Sequence, residues 1–62
     1  MGAKINVGDE VYILAGDEKG SWGIVEMIDE DGCYHVQHAG GGAALIFDRN
    51  EIRKPRKPII AR

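Results

Sequence analysis

Cysteine, proline and aromatic residues are scarce in this chain of 62 residues, which has one cysteine, two prolines and four aromatic side chains. A single cysteine excludes an internal disulfide, and a reducing, cytoplasmic setting is therefore expected. No apolar run reaches the roughly 20 residues that span a bilayer, and no signal-peptide pattern opens the chain. We therefore expect a soluble protein with no membrane partner.

Basic residues are also scarce in most of the chain. Residues 1–52 carry three cations against all ten acids, a net charge of −7, whereas residues 53–62 carry five cations and no acid. An acidic body followed by a basic tail predicts one small domain over residues 1–53 and a separate segment over 54–62. Because the tail is charged and contains both prolines, we expect it to be extended or disordered from about Pro55, unless Ile59 and Ile60 dock on the body.

No window has a sustained apolar period of 3.6 residues, so no true α-helix is expected. Instead, short runs alternate between apolar and polar positions, which predicts an all-β domain with five antiparallel strands. The expected strands cover residues 9–14, 23–29, 33–37, 43–47 and 51–53, with a single 3₁₀ turn at residues 48–50. The Asp31-Gly32 pair predicts a tight type I′ hairpin turn. The predicted core comprises Val11, Ile13, Val25, Met27, Tyr34, Val36, Ala44, Ile46 and Ile52.

A glycine-punctuated pattern, G-D-x-V-x-x-x-x-G-x-x-K-G-x-x-G-x-V, runs through the first half of the chain. Its positions are Gly8, Asp9, Val11, Gly16, Lys19, Gly20, Gly23 and Val25. This pattern resembles the KOW motif of ribosomal proteins and transcription elongation factors. The resemblance implies a small SH3-like barrel that binds RNA or protein partners, and fold transfers more safely than function. In such a fold, we expect the glycines to supply positive φ angles or close backbone approaches at the first loop.

Three residues of the first predicted loop are candidate contacts: Lys19, Ser21 and Trp22. The resemblance implies that this loop faces ligands, so the indole would be a stacking platform for a base or an anchor for a peptide. Alternatively, the indole folds over the open end of the barrel and packs on Ile24. Asp17 and Glu18 would repel phosphate, which distinguishes this loop from the basic loops of ribosomal KOW proteins.

The basic tail supplies the second set of candidate contacts, which are Arg53, Lys54, Arg56 and Lys57. Their charges suit phosphates bound without sequence preference and with strong dependence on salt. The Pro55 to Pro58 spacing is also that of a polyproline ligand, and the run faintly resembles an AT-hook without its central glycine. The remaining alternative is a solubilising tail that folds back on the acidic body.

Metal and catalytic sites are not predicted. Cys33, His35 and His38 have the types of side chain that bind zinc, but His38 is an odd step along the strand and no clear fourth ligand follows. Cys33 and His35 on an open strand offer no enclosed pocket for nucleophilic catalysis. The acidic run at residues 29–32 lacks the later ligands of a calcium loop, and no helix follows Gly40-Gly41-Gly42 to bind phosphate. No cofactor is therefore expected.

The predicted function is a small non-catalytic binding module that contacts RNA or a ribonucleoprotein through the first loop and the basic tail. The alternative is a protein–protein interaction module or small homo-oligomer, and the acidic body favours this second interpretation. An enzymatic interpretation rests on a similar layout in the type II dihydrofolate reductases, which are tetramers of SH3-like chains. Residues 44–47 lack the glutamine and the tyrosine hydroxyl of their Val-Gln-Ile-Tyr stretch, which excludes that activity.

Overall fold

Five antiparallel strands form a curled half-barrel in the computed structural model, which describes residues 4–56. The strands are β1 (Glu10–Ile13), β2 (Trp22–Ile28), β3 (Tyr34–His38), β4 (Leu45–Phe47) and β5 (Ile52–Arg53). They lie in the order β4-β3-β2-β1-β5, and one 3₁₀ turn, Arg49–Glu51, precedes β5. The predicted all-β, five-stranded, SH3-like fold is therefore confirmed. Within residues 4–56, no helix is long and apolar enough to cross a membrane.

The first loop, residues 14–21, is shaped by the glycines of the pattern. Gly16 and Gly20 have φ angles of 83° and 93°, which are readily available only to glycine. Gly23 instead permits a close approach of β2 to β3. A Cβ atom at Gly23 would lie 2.4 Å from the carbonyl oxygen of Gln37 and 2.6 Å from Cγ1 of Val36. Both expected uses of glycine, positive φ and close backbone approach, are present.

The core lies on the concave side of the sheet. It consists of Ile5, Val11, Ile13, Val25, Val36, Phe47 and Ile52, with Tyr34 and Leu45 packed against it. Five of the predicted members are buried, Tyr34 is partly buried, and Ala44 is half-buried but outside the cluster. The prediction was wrong for Met27 and Ile46, which are 47% and 60% exposed.

A β-bulge explains the error at Met27. Val25 pairs with Val36, but the register then shifts, and Met27 pairs with His35. The extra residue, Glu26, moves Met27 to the face opposite that of Val25. A strict period of two therefore fails at this point of β2.

The pairing of β4 explains the error at Ile46. Phe47 lies opposite Tyr34 and Leu45 lies opposite Val36, so these two residues of β4 share the core face. Ile46 is opposite His35 and faces outward. Alternation within β4 predicted two faces but not which of them is buried.

The β2–β3 hairpin turn also differs from its prediction. The N–H of Gly32 donates to the carbonyl of Asp29 at 3.0 Å, and Asp29 N–H donates to the carbonyl of Cys33 at 3.0 Å. A type I′ turn would require a positive φ at Asp31 as well as at Gly32, but within residues 4–56 only glycines have one. The loop is therefore a three-residue connection with Gly32, at φ 86°, in the position of a glycine bulge.

Gly23→Ala is expected to destabilise the fold by about 1–3 kcal/mol, because the new methyl group collides with backbone of β3 that cannot move freely. The measurement is urea unfolding followed by circular dichroism. Glu26→Ala, at an exposed position of the same strand, is the matched control and should change stability by less than about 0.5 kcal/mol. Equal stabilities of the Gly23→Ala variant and the unchanged protein would contradict the close approach.

Candidate binding surface

Three side chains form a row across the convex face of the sheet. Tyr12 of β1 is paired with Trp22 of β2 on one side and with Arg53 of β5 on the other. Directly paired residues point to the same face, and Val11 and Ile13 on either side of Tyr12 are buried. Tyr12, Trp22 and Arg53 therefore all face away from the core. We call these three residues the Tyr12 row.

The guanidinium of Arg53 is held against the ring of Tyr12. Its central carbon lies 4.9 Å from the ring centroid, within the range of a cation–π contact. Tyr12 and Trp22 are half-buried, whereas Arg53 is exposed. The row thus presents a planar cation and an indole to solvent on adjacent parts of one surface.

The structure changes the predicted position of Trp22. The residue is the first of β2 rather than a member of the loop, and its carbonyl accepts a hydrogen bond from Ala39 N–H at 3.0 Å. Trp22 therefore belongs to the sheet, where it shares a surface with Arg53. The contribution of Tyr12 was missed, although alternation in the first strand already placed it opposite Val11 and Ile13.

The other two candidate residues of the first loop lie beside this row in the chain. Ser21 is half-buried, and its backbone carbonyl accepts a hydrogen bond from Ile13 N–H at 2.9 Å. Lys19 is exposed, and its N–H donates to the carbonyl of Gly16 at 3.2 Å in a turn. The loop backbone is thus tied by hydrogen bonds, while the side chain of Lys19 reaches solvent.

The basic tail begins alongside β1. Nζ of Lys54 lies 3.5 Å from the Oδ2 of Asp9, so the first cation after β5 contacts the acidic body. Arg56 is exposed. Lys57, Ile59 and Ile60 lie outside the described residues, as does most of the segment expected to be extended. Lys54, the first residue of the tail, therefore lies against the acidic body.

Apolar side chains continue the convex face beyond the Tyr12 row. Ile24 is paired with Glu10 of β1 and with Gln37 of β3, and its pair with Glu10 lies beside the pair of Tyr12 and Trp22. Farther along, the exposed side chains of Met27 and Ile46 flank His35. This outer apolar strip, Ile24, Met27 and Ile46, is 36%, 47% and 60% exposed.

His38 connects the first loop to the end of β3. Its Nδ1 accepts a hydrogen bond from Gly40 N–H at 2.9 Å, which leaves the proton of the neutral ring on Nε2. Nε2 lies 3.0 Å from Oε1 of Glu18, although the two are not aligned as a hydrogen bond. Glu18 of the first loop thus lies against the last residue of β3 and adds negative charge beside Lys19.

His35 lies in a different cluster at the β2–β3 turn. Its Nε2 is 2.8 Å from Oδ2 of Asp29, whose Oδ1 accepts hydrogen bonds from the N–H groups of Asp31 and Cys33 at 2.9 and 3.0 Å. The contacts with His35 and then Cys33 lower the pKa of Asp29. The carboxylate of Asp29 thus stabilises the turn by accepting hydrogen bonds from its backbone.

Cys33 has no activated thiol. Partial burial, and then the nearby carboxylates of Asp29, Asp48 and Asp31, raise the pKa of its thiol, so the thiolate is disfavoured. Cys33, His35 and His38 do not converge, because the two histidines contact different carboxylates. Across residues 4–56, no group of three or more His, Cys, Asp or Glu side chains is arranged to hold a metal ion.

Comparison with known families identifies the glycine-punctuated half of the chain. The family model described as KOW motif matches residues 7–37, which is half of the chain. The matched region extends from the turn before β1 into β3. No curated protein matches the chain at a significant level.

Asp29→Asn is expected to make stability less sensitive to acid. Because the pKa of Asp29 is lowered in the fold, its carboxylate stabilises the protein above about pH 4, and this stabilisation disappears as the pH falls through the folded pKa. Urea unfolding between about pH 6 and pH 3 should therefore show a smaller loss of stability in the variant. Glu30→Gln, an exposed acid of the same turn, is the control for charge. A loss as large as that of the unchanged protein would contradict this role.

Proposed function

The chain belongs to the KOW family, and we propose that it is a non-catalytic binding module that contacts RNA or a ribonucleoprotein. The proposed contacts are Lys19 and Ser21 of the first loop, Trp22 at the start of β2, Arg53 of β5, and Lys54, Arg56 and Lys57 of the basic tail. Tyr12 supports Arg53 from the same row. KOW domains are small binding folds, which supports the general role. The finer assignment to RNA rests on the chemistry of the convex face.

The Tyr12 row is the observation that carries this proposal. It joins two candidate regions that are far apart in the chain, because β1 pairs with β2 on one side and with β5 on the other. An indole and a guanidinium held over a tyrosine ring, both on one open surface, suit the faces of nucleobases. The cations that follow Arg53 suit the phosphates of the same strand.

The acidic body sets a limit on such binding. Residues 1–52 carry a net charge of −7, and Asp9 already pairs with Lys54. Phosphates must therefore approach from the side of the tail, and affinity should be modest and fall steeply as salt increases. This is the electrostatic signature that distinguishes RNA from an uncharged protein partner.

Replacement of Lys54, Arg56 and Lys57 together by Gln should weaken binding of single-stranded RNA and reduce its dependence on salt. Each lost phosphate contact should reduce the slope of log K against log salt by about 0.7. Binding is measured by titration at several salt concentrations. Lys4→Gln, which removes an exposed cation outside the proposed surface, is the control and should leave the slope almost unchanged.

A slope that the triple variant shares with the unchanged protein would exclude the tail as the phosphate contact. Trp22→Ala is a separate measurement and should cost about 1–3 kcal/mol if a base stacks on the indole. No RNA binding at low salt would exclude the nucleic-acid function as a whole.

The outer apolar strip favours a second candidate function, in which the partner is a protein or a second copy of this chain. Ile24, Met27 and Ile46 are exposed on a single face, with His35 between Met27 and Ile46, and apolar side chains exposed together on one face are a feature of interaction sites. With a protein partner, Trp22→Ala should weaken binding more than the tail substitutions, and salt should have little effect. Capture of partners from lysate with and without nuclease treatment distinguishes the two functions.

A further inference from the structure

The geometry of the Tyr12 row points to a more specific ligand, and this inference rests on the proposed function. We propose that the Arg53 guanidinium and the Trp22 indole form a platform for two unpaired bases of single-stranded RNA, with Tyr12 as the residue that positions Arg53. The site is the convex face of β2, β1 and β5, and the ligand class is RNA with exposed base faces.

The first step concerns spacing. Neighbouring strands lie about 4.8 Å apart, so the backbones of Trp22 and Arg53 are separated by roughly 10 Å across β1. The guanidinium of Arg53 lies over the ring of Tyr12, 4.9 Å from its centroid, although Arg53 as a whole is exposed. Arg53 thus contacts a residue of β1, the strand that separates it from Trp22, and the two planar groups lie on the same face of the sheet.

The second step concerns which group a base contacts. Arg53 covers the ring of Tyr12, so the tyrosine face is already occupied by a protein group. The exposed side of the guanidinium remains available, and a planar cation stacks on a base as it does on an aromatic ring. Tyr12 therefore acts through Arg53 and limits the conformations of its long side chain before RNA binds.

The third step concerns discrimination. Bases in a duplex are stacked on each other and present only their edges, whereas unpaired bases expose a face. A platform of planar groups on the convex face of the sheet contacts the faces of bases, so it favours single strands over duplexes with little preference for sequence. Glu10 lies on the same face, two residues before Tyr12 in β1, and is paired with Ile24.

The test compares two probes, an oligouridine single strand and the duplex of oligouridine with oligoadenine, at one low salt concentration. Trp22 is the only tryptophan in the chain, so quenching of its emission reports binding at the platform directly. Arg53→Lys keeps the charge but removes the planar group. It should lower affinity for the single strand about tenfold and leave affinity for the duplex within about twofold.

Tyr12 is tested by rescue and by coupling. Tyr12→Leu should also lower single-strand affinity several-fold, whereas Tyr12→Phe keeps the ring and should bind within about twofold of the unchanged protein. In the double variant Tyr12→Leu with Arg53→Lys, the losses should not add, because Tyr12 acts through Arg53. Urea unfolding of each variant establishes that it is folded, and the Arg53→Lys comparison stands on its own if Tyr12→Leu is not.

The results test the platform, the positioning role of Tyr12 and RNA binding itself separately. Arg53→Lys binding equal to that of the unchanged protein, or equal losses on single strand and duplex, would overturn the platform while leaving RNA binding intact. Additive losses in the double variant would overturn the positioning role of Tyr12. Absence of single-strand binding by the unchanged protein would overturn the proposed function, and the platform with it.

Discussion

The pairing of β1 with β2 is the constraint on which the rest of this small protein depends. It places Val11 opposite Gly23 inside the half-barrel and Tyr12 opposite Trp22 outside it. The inner pair requires a residue without a Cβ atom, because β3 passes directly over Gly23. The outer pair creates the surface that β5 completes with Arg53. The same strand pairing therefore fixes both the core on one face of the sheet and the candidate binding surface on the other.

The residues of the family pattern mainly stabilise the fold. Gly8 N–H donates to the carbonyl of Val25 at 2.7 Å, and the carboxylate of Asp9 accepts a hydrogen bond from Asn6 N–H at 2.7 Å. Val25 is fully buried. The proposed stacking groups, in contrast, lie between or beyond the pattern positions. The pattern therefore identifies the barrel, while the proposed stacking groups lie at outward positions that the pattern does not specify.

In the proposed binding of RNA, the charge of the body and the stacking groups have opposite effects. The body carries a net charge of −7, which repels phosphate over a distance of about one Debye length. Stacking acts only at contact and does not require a basic body. Arg53 contributes to both electrostatic attraction and stacking, because it carries a positive charge and its planar guanidinium is held by Tyr12. In the proposed binding mode, a steep dependence on salt and a preference for unpaired bases would both follow from this side chain.

The sequence by itself determined the number and order of the strands, the glycine geometry of the first loop and the inward face of β1, because turn residues and a period of two act locally. It did not determine that Met27 faces outward, since the bulge in β2 arises from pairing with β3. It also did not reveal that Trp22 and Arg53 share a surface. Alternation defines two faces within a strand, but only the packed sheet decides the register of each pair and, in β4, which face is buried.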